Sequence, residues 1–327
     1  MNPPLISICI PVFNGEDYIE ESIDSILNQT ENNFELIIAD NCSIDSTVDI
    51  VNNYDDPRLR LYRNDSNYGI FGNFNKCIEY SKGDYIAILP HDDLIEPTML
   101  ECFSKVLNEN KKCGLVYSSN YQVNAQSEKI NFILSQPKNK LMDNLEAFEL
   151  FIQTCPIQTC MVRRDVYENV GLFVLDLPFT GDVNMWCRVA LAGYEVMYIK
   201  DPQNSIRVHE GQTTKRIYDD GEYGSQILKC YQKVFELVPK TSKLYSLRSK
   251  AAIWPMKIEL VYMIKSLLVF NATSLRKHRK IFQNIFRWIG TSVAIPIFFS
   301  VFLNLIIEKI SLIFLKKRSP SLKYSGK

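Results

Sequence analysis

Four side chains that could bind a ligand follow short apolar segments in the first third of the chain: Asn14, Asp40, Asn67 and Asp92. The apolar segments have the length of buried strands, and helical periodicity fills the intervals between them. Strands that alternate with helices form parallel sheets covered on both faces, and such sheets bind ligands beyond the carboxyl ends of their strands. We therefore expect these four side chains to meet at one ligand site.

Two glycine-rich phosphate-binding motifs are absent from the sequence. The turn after the first apolar segment, residues 11–16, lacks GxGxxG, and GxxxxGK[ST] does not occur. A phosphorylated ligand would therefore need another source of positive charge. Acids at strand ends suggest a divalent cation, because Mg²⁺ and Mn²⁺ bind one or two carboxylates together with substrate phosphates.

The elements that must position these residues are predicted from hydrophobic periodicity. Up to residue 113 the pattern predicts strands at 5–10, 34–39, 59–62 and 85–89, with helices between them. Beyond residue 113 the alternation loosens, and residues 121–134 fit either a hairpin or a loop. The later pattern predicts strands at 114–119, 157–162, 194–199 and 205–209, helices at 143–152 and 182–191, and only helices from about residue 218.

The composition is that of a soluble globular protein. The 327 residues are 46% hydrophobic and 23% charged, which excludes a disordered chain, a collagen and a polytopic membrane protein. Nine cysteines occur without a CxxC pair, which indicates buried thiols in a reducing compartment. The N-terminus lacks the basic and apolar regions of a secretory signal, so we expect a cytoplasmic location.

A strong charge asymmetry divides the chain, although its net charge is zero. Residues 241–327 contain sixteen Lys or Arg residues and only two acids, Glu259 and Glu308. These basic residues are interleaved with long aliphatic segments, which favours an anionic membrane over nucleic acid as the partner of this segment. We expect a domain at 1–215 and a basic, apolar helical tail at 216–327.

The tail contains an apolar segment at 250–270, a basic cluster at 276–280 and an uncharged segment at 289–307. Nineteen apolar residues are just long enough to cross about 30 Å of hydrocarbon. Basic clusters on both sides of this segment favour a tail that lies in the membrane plane or re-enters it. A single membrane span and packing on a partner protein are the alternatives.

Several motifs occur in an order that resembles the family 2 glycosyltransferases. They are Leu5–Asn14, Glu35–Thr47, Asn67–Asn75, Gly83–Asp93, Val170–Phe173, Gly181-Asp182 with Trp186 and Arg188, and Arg207–His209. The resemblance covers roughly residues 5–210 and implies a GT-A fold, an α/β architecture with a Rossmann-like, mostly parallel sheet and helices on both faces. It also implies an inverting enzyme that uses a nucleotide-diphosphate sugar, most simply a UDP-sugar.

The resemblance implies a nucleotide site made of residues from three loops. It places Pro11, Phe13 and Glu16 in the loop that lines the nucleoside, with Phe13 stacked near the base. Asn67 and Asn73 fall in the segment that closes over the nucleotide. Asp40 matches the acid that binds the pyrimidine, and a carboxylate acceptor suits the imide N–H of uracil.

The resemblance also assigns the reacting groups. Asp92 matches the metal-binding acid, His209 lies where a residue near the metal and diphosphate is expected, and Asp182 matches the catalytic base. A bound Mn²⁺ or Mg²⁺ would stabilise the departing diphosphate, and the base would take the proton of the acceptor hydroxyl. Two departures are Pro90 and Gly181, which stand where the family often has acids.

Alternative interpretations remain open at this point. Asp40 could cap a turn, and Asp92 and Asp182 could cap the helices that follow them. The chain could be a catalytically silent family member that binds a nucleotide or acts as a scaffold, or a sugar nucleotidyltransferase. A cytoplasmic glycosyltransferase held at a membrane resembles enzymes that extend lipid-linked saccharides for surface polysaccharide or O-antigen, which suggests a saccharide or lipid-linked acceptor.

Overall fold

The computed structural model describes residues 6–155, 159–212, 217, 220–268 and 270–318, and side chains as far as residue 304. Its centre is a ten-stranded sheet with the strand order β3-β2-β1-β4-β9-β6-β10-β5, to which β7 and β8 add at β6 and β10. The strands are β1 Ile6–Val12, β2 Phe34–Asp40, β3 Leu59–Arg63, β4 Tyr85–Ile88, β5 Leu94–Ile95, β6 Cys113–Val123, β7 Lys129–Ile133, β8 Lys140–Met142, β9 Cys160–Arg163 and β10 Glu195–Arg207.

The sheet is mostly parallel, as the sequence predicts. Strands β3, β2, β1 and β4 run parallel to one another, and β9 is antiparallel to both β4 and β6. Strand β6 therefore runs in the direction of β4, and β10 is parallel to β6. The carboxyl ends of all these parallel strands meet along one edge of the sheet, which is where the candidate ligand-binding residues follow.

Helices cover both faces of the sheet. They are α1 Ile19–Leu27, α2 Thr47–Asn52, α3 Gly69–Tyr80, α4 Met99–Glu109, α5 Asn144–Phe151, α6 Arg164–Val170, α7 Gly181–Leu191, α8 Tyr223–Glu236, α9 Lys243–Ser246, α10 Arg248–Ala251, α11 Ile253–Leu268, α12 Ala272–Ile289 and α13 Thr291–Arg318. Strand β1 shows why both faces need cover. Ile8 and Ile10 pack with α1 and α4, whereas Cys9 packs on the opposite face with α3 and α7.

Strand β10 differs from the sequence prediction. Two short strands were expected at 194–199 and 205–209, but one strand runs through Pro202. Its register with β6 is regular from Val196 to Ile199 and again from Asn204 to Arg207, and it shifts between these stretches. The extra residues form a bulge, which accommodates a proline within a strand. The hairpin alternative for residues 121–134 is the correct one, because β6 and β7 pair antiparallel.

The C-terminal helices continue the core of the sheet domain. On α8, Ile227, Tyr231 and Phe235 belong to the buried cluster that includes residues of α5 and α7. A second cluster joins α8, α11, α12 and α13. The predicted domain boundary at 215/216 lies in residues 213–216, outside the described residues, and stays a prediction. Among the described residues, no helix combines the length and apolar character that crossing a membrane requires.

A buried polar pair lies inside this helical region. Glu259 of α11 is fully buried, and its Oε2 lies 2.8 Å from Nδ1 of His278 on α12. Burial raises the pKa of Glu259 to about 8 and lowers the pKa of His278. Both shifts favour the uncharged forms of the two groups. The other oxygen, Oε1, lies against Gly224 of α8, where an added Cβ would clash with it.

Candidate active site

Asp92 and His209 form a pair at the carboxyl edge of the sheet. Asp92 follows β4 and His209 follows β10, and their Oδ2 and Nε2 atoms are 3.0 Å apart. Both side chains are partly exposed, at 17% and 18%. The pair can therefore present a carboxylate oxygen and a ring nitrogen to a ligand from solvent.

Arg207 supports this pair from behind, and the sequence analysis gave it no role. Its guanidinium is fully buried and donates from Nε to the main-chain oxygen of Asp92 at 2.8 Å. It also forms an ion pair with Glu21 at 3.0 Å and lies over the ring of Tyr18 at 4.5 Å. The main-chain N–H of Arg207 donates to the buried Asp93 carboxylate at 2.9 Å. Arg207 thus joins the ends of β4 and β10.

The turn that carries Asp92 is also held by α1. The hydroxyl of Ser22 lies 2.7 Å from the carbonyl oxygen of His91 and 2.8 Å from that of Asp93. The ring of His91 packs so closely on Gly15 that an added Cβ would lie 2.6 Å from Cδ2. Only glycine leaves room for this ring, so the loop after β1 and the loop after β4 are packed together.

Asp40 lies at the end of β2 with its carboxylate fully buried. Its Oδ1 accepts a hydrogen bond from the main chain of Ser43 at 3.1 Å. Its Oδ2 lies 3.3 Å from Nε of Arg63, within ion-pair distance, but it accepts no hydrogen bond from the described residues. A buried carboxylate oxygen without a hydrogen bond is costly, so this atom is suited to a donor supplied by a ligand.

The loop after β1 presents an aromatic ring at the same edge. Phe13 is 45% exposed, whereas Pro11 is buried in β1 opposite Ala39 of β2. Glu16 uses one carboxylate oxygen to accept a hydrogen bond from the main chain of Ser46 at 2.9 Å. Glu16 therefore ties this loop to the loop after β2, next to the exposed phenyl ring.

Asn67 and Asn73 have internal partners. The Asn67 side-chain oxygen accepts hydrogen bonds from Asn41 and from the main chain of Gly69, both at 2.9 Å. The buried Asn73 donates to the carbonyl of Ala39 and accepts from Asn64, both at 2.8 Å. These amides fix the loops after β2 and β3. Their contact with a nucleotide stays a prediction, and for Asn73 the internal bonds use both ends of the amide.

Asp182 lies in the first turn of α7. Its Oδ1 accepts a hydrogen bond from the main chain of Val183 at 2.8 Å, and the residue before the helix is Thr180. A carboxylate in the first helical turn is stabilised by the helix dipole, but burial dominates here and raises the pKa of Asp182 to about 6. Such a group is a base at neutral pH and still accepts a proton readily.

Asp182 acts electrostatically on Cys160, the first residue of β9. Strand β9 pairs Met161 with Ala87 of β4, so Cys160 lies beside the carboxyl end of β4. Burial raises the pKa of Cys160, and the neighbouring Asp182 carboxylate raises it further. The start of α7 is therefore close to the strand end from which the chain continues to Asp92.

The residues of this edge fit a hard or borderline divalent cation. Within the described part of the chain, no group of three or more His, Cys, Asp or Glu side chains could enclose a metal ion. Asp92 and His209 alone supply one oxygen and one nitrogen. That partial donor set suits an ion whose remaining ligands are water and substrate phosphates. The nitrogen donor favours a first-row transition ion such as Mn²⁺ over Mg²⁺.

A comparison with known protein families identifies the family of this chain. Residues 7–171 match the sequence profile of "Glycosyl transferase family 2". The chain belongs to glycosyltransferase family 2. The match spans the loops that carry Asp40 and Asp92, and it ends before Asp182 and His209.

Relatives by sequence carry the same family name. A protein named as an uncharacterized glycosyltransferase of Rickettsia typhi is 32% identical over 64% of this chain and 66% of its own length. One from Haemophilus influenzae is 30% identical over 65% of this chain and 68% of its own length. A chondroitin synthase of Pasteurella multocida is 37% identical, over 37% of this chain but only 13% of its own length.

Solved structures share the fold of this family 2 glycosyltransferase. S. aureus TarS, residues 1–349, in complex with UDP-GlcNAc has a TM-score of 0.57 and 16% sequence identity. The likeness covers 85% of this chain and 91% of that one. A complex of the same protein with UDP gives a TM-score of 0.55. The predicted GT-A architecture, an α/β sheet with helices on both faces, is thus confirmed.

Proposed function

We propose that this chain is an inverting glycosyltransferase that moves a sugar from a nucleoside-diphosphate donor to a hydroxyl group. The observation that carries the proposal is the Asp92–His209 pair at the carboxyl edge of the sheet in a family 2 glycosyltransferase, and Asp40 at the end of β2 and Asp182 near Cys160 support it. In this proposal Asp40 recognises the base, Asp92 and His209 lie at the diphosphate, and Asp182 accepts a proton.

The donor is proposed to be a UDP-sugar. The Oδ2 of Asp40, which accepts no hydrogen bond from the described residues, would accept the imide N–H of uracil, and the exposed ring of Phe13 would stack on the base. Cytosine has an acceptor at the same ring position and would leave the buried carboxylate unsatisfied. The UDP-GlcNAc and UDP complexes of TarS support a uridine donor for a chain with the same fold.

Asp182 is proposed to act as the general base. One of its carboxylate oxygens takes the proton of the acceptor hydroxyl, while the oxygen of that hydroxyl forms a bond to the anomeric carbon. The bond from the anomeric carbon to the diphosphate breaks, and the diphosphate leaves with the electron pair. Because a single displacement occurs and no enzyme nucleophile intervenes, the configuration at the anomeric carbon inverts.

The diphosphate is proposed to lie beside Asp92 and His209. A divalent cation held there, Mn²⁺ in preference to Mg²⁺, would supply electrostatic stabilisation of the leaving group. The buried Arg207 keeps the two side chains in place through the main chain of Asp92. Pro90, which replaces a frequent family acid, leaves Asp92 as the carboxylate at this position.

The acceptor is proposed to be a saccharide, carried on a lipid in the assembly of surface polysaccharide or O-antigen. Support comes from the tail, where α12 carries Arg276, Lys277, Arg279 and Lys280 and the adjacent helices expose large apolar side chains. These features suit the anionic inner face of the cell membrane, and so a cytoplasmic enzyme bound peripherally to it.

The proposal is tested by following UDP release from a panel of UDP-sugars with and without Mn²⁺ and a saccharide acceptor. Release that requires both the ion and the acceptor supports a glycosyltransferase. UDP binding without turnover on any donor and acceptor pair would instead support the catalytically silent alternative. Pyrophosphate release from a nucleoside triphosphate would support a sugar nucleotidyltransferase.

A further inference from the structure

A cavity of about 550 Å³ is lined by residues other than Asp40, Asp92, Asp182 and His209. Residues just after α5, Gln153 and Thr154, line one part of it, and most of the remaining wall comes from α11. The α11 residues recur every three or four positions, so the cavity follows one face of that helix over about three turns. Its volume lies in the range of small-molecule sites, roughly 300–1,000 Å³.

The polar part of the cavity wall is cationic. Lys250, Lys257 and Lys265 all line it, and no Asp or Glu is among the described residues of its wall. Lys250 has an ion pair with Glu149, which lies outside the lining, and Lys265 lies 5.6 Å from the ring centre of Tyr262. An anion bound in the cavity would be stabilised by the ammonium groups of its wall, because each of them can donate a charge-assisted hydrogen bond to it.

The rest of the wall is apolar and aromatic. Ile258 and Val261 line the cavity between the lysines, together with the indole of Trp254. A small hydrated anion gains nothing from such a surface, because it keeps its water. A ligand that joins an anionic group to a hydrocarbon chain would use both kinds of wall.

The neighbouring surface continues the apolar character. Just beyond Lys265, α11 ends in Leu267 and Leu268, which are 56% and 74% exposed, and Phe270 follows at 95%. These side chains form an exposed apolar corner between α11 and α12. A hydrocarbon chain that left the cavity beside Lys265 would meet this corner rather than open water.

We propose that this cavity binds the phosphate group of an amphiphilic phosphate ester, with the hydrocarbon chain directed along α11. Two sources have this chemistry, a polyprenyl phosphate that carries a saccharide and a phospholipid of the bilayer. None of the residues that line it is assigned to the proposed donor site. If the chain extends lipid-linked saccharides, as proposed above, the site holds the carrier.

The test measures binding to the full chain by calorimetry, with farnesyl phosphate as the probe and farnesol and inorganic phosphate as comparisons. We expect farnesyl phosphate to bind with one-to-one stoichiometry and at least about tenfold more tightly than either comparison, because only it uses both walls. Lys257→Gln with Lys265→Gln removes two cationic contacts and should weaken its binding about a hundredfold.

The matched control is Lys111→Gln with Lys240→Gln, which changes the net charge equally at exposed positions outside the cavity. It should alter farnesyl phosphate binding less than about twofold. Equal binding to the cavity variant and the control would overturn the proposal. So would inorganic phosphate that binds as tightly as farnesyl phosphate, since the occupant would then be a simple anion.

A competition experiment distinguishes the two sources. Phosphatidylglycerol vesicles that displace farnesyl phosphate from the cavity would assign it to a bilayer lipid, and vesicles that leave it bound would assign it to a polyprenyl phosphate. UDP binding is measured on the same variants by thermal shift. A cavity variant that no longer binds farnesyl phosphate but still binds UDP would show that the two sites are tested independently, so failure of one proposal can be told from failure of the other.

Discussion

Two carboxylates of the candidate site differ sharply in their surroundings. Asp182 has a main-chain hydrogen bond at the start of α7, and burial raises its pKa to about 6. Asp40 lies beside the guanidinium of Arg63, with one oxygen still without a hydrogen bond. The first environment favours proton uptake, and the second leaves a hydrogen-bond acceptor for a ligand, which matches the two proposed roles.

The pH dependence of Asp182 gives the first prediction. A base must be deprotonated to act, so kcat should rise with pH through about 6 and level off above it. Asp182→Asn should lower kcat by about 10²–10⁴-fold and remove this rise. The exposed Asp49→Asn is the control and should keep the profile of the unaltered chain.

The stability of the fold should fall with rising pH, whereas kcat should increase. The folded pKa of Asp182 lies above its ordinary value of 3.8, so the charged form destabilises the fold as pH rises through about 6. Asp182→Asn should therefore raise Tm at about pH 8 and change it little at about pH 4. Near-normal turnover by a folded Asp182→Asn enzyme would contradict the assignment of the base.

Base recognition gives the second prediction. Asp40→Asn replaces an acceptor-only group with an amide that also donates, so UDP should bind about tenfold more weakly while CDP binding improves. Calorimetric titration of both nucleotides measures the change in preference. Asp55→Asn, an exposed acid after α2, is the control. An unchanged UDP-to-CDP ratio would show that Asp40 does not read the base.

For individual residues, some positions in the structure could be predicted from the sequence and others could not. Asp92 and His209 were both expected near the metal, and they lie 3.0 Å apart. Arg207 belongs to one of the motifs, but a single arginine in a strand carries no signal that it will be fully buried. Glu259 interrupts an apolar segment of the sequence, and its pairing with His278 depends on the packing of two helices.

At the scale of elements, the start of α7 depends on its contact with α3. An added Cβ at Gly181 would lie 2.6 Å from Cδ2 of Phe71, and Phe71 stacks on Phe173 with ring centres 5.5 Å apart. An acidic side chain, which the resemblance leads one to expect at this position, would not fit here, because the ring of Phe71 occupies the space that it would need.

Gly181→Ala gives the third prediction. Overpacking should destabilise the fold by about 1–3 kcal/mol, although alanine favours a helix more than glycine does. Thermal or urea unfolding measures the loss. Combining it with Phe71→Leu should cost less than the two single changes together, because the smaller side chain makes room. Strictly additive losses would mean that the clash does not limit this position.

The elements were predicted well where periodicity was strong. The four parallel strands and the helices between them follow the expected positions, because each has a clear apolar pattern. Strand β5, only two residues long, was missed, since two residues carry no period. The sequence predicts two strands on either side of Pro202, whereas the structure has one strand, β10. The bulge that accommodates the proline depends on the pairing of β10 with β6, which the local sequence does not reveal.

At the scale of the whole molecule, the charge asymmetry of the sequence is distributed over packed helices. Helix α8 is part of the core of the sheet domain, whereas α12 carries basic side chains and α13 exposes apolar ones such as Phe299 and Leu303. The sequence predicted helices throughout this region. It gave no indication of the cavity beside α11, since a cavity is a property of several packed elements.

Membrane binding gives the fourth prediction. The full chain should sediment with anionic vesicles, and Leu268→Ser with Phe270→Ser should weaken binding about tenfold or more, because each side chain buries apolar area in lipid. The control is Ile130→Ser with Phe132→Ser, two exposed residues of β7. Equal losses in both variants would contradict this location of the contact. High salt should release part of the protein, because the basic side chains of α12 contribute.

The bulge in β10 separates the two ends of that strand. Ile199 and Asn204 keep their own partners in β6, and the exposed residues Lys200 and Asp201 between them are outside the ladder. Insertion or deletion of residues in the bulge would change the length of the bulge only. The side chains of residues 204–209 would keep their orientation, because the pairing of residues 204–207 with β6 would be unchanged. A short epitope or fluorescent tag inserted between Lys200 and Asp201 would thus report on the enzyme while its reaction centre keeps its geometry.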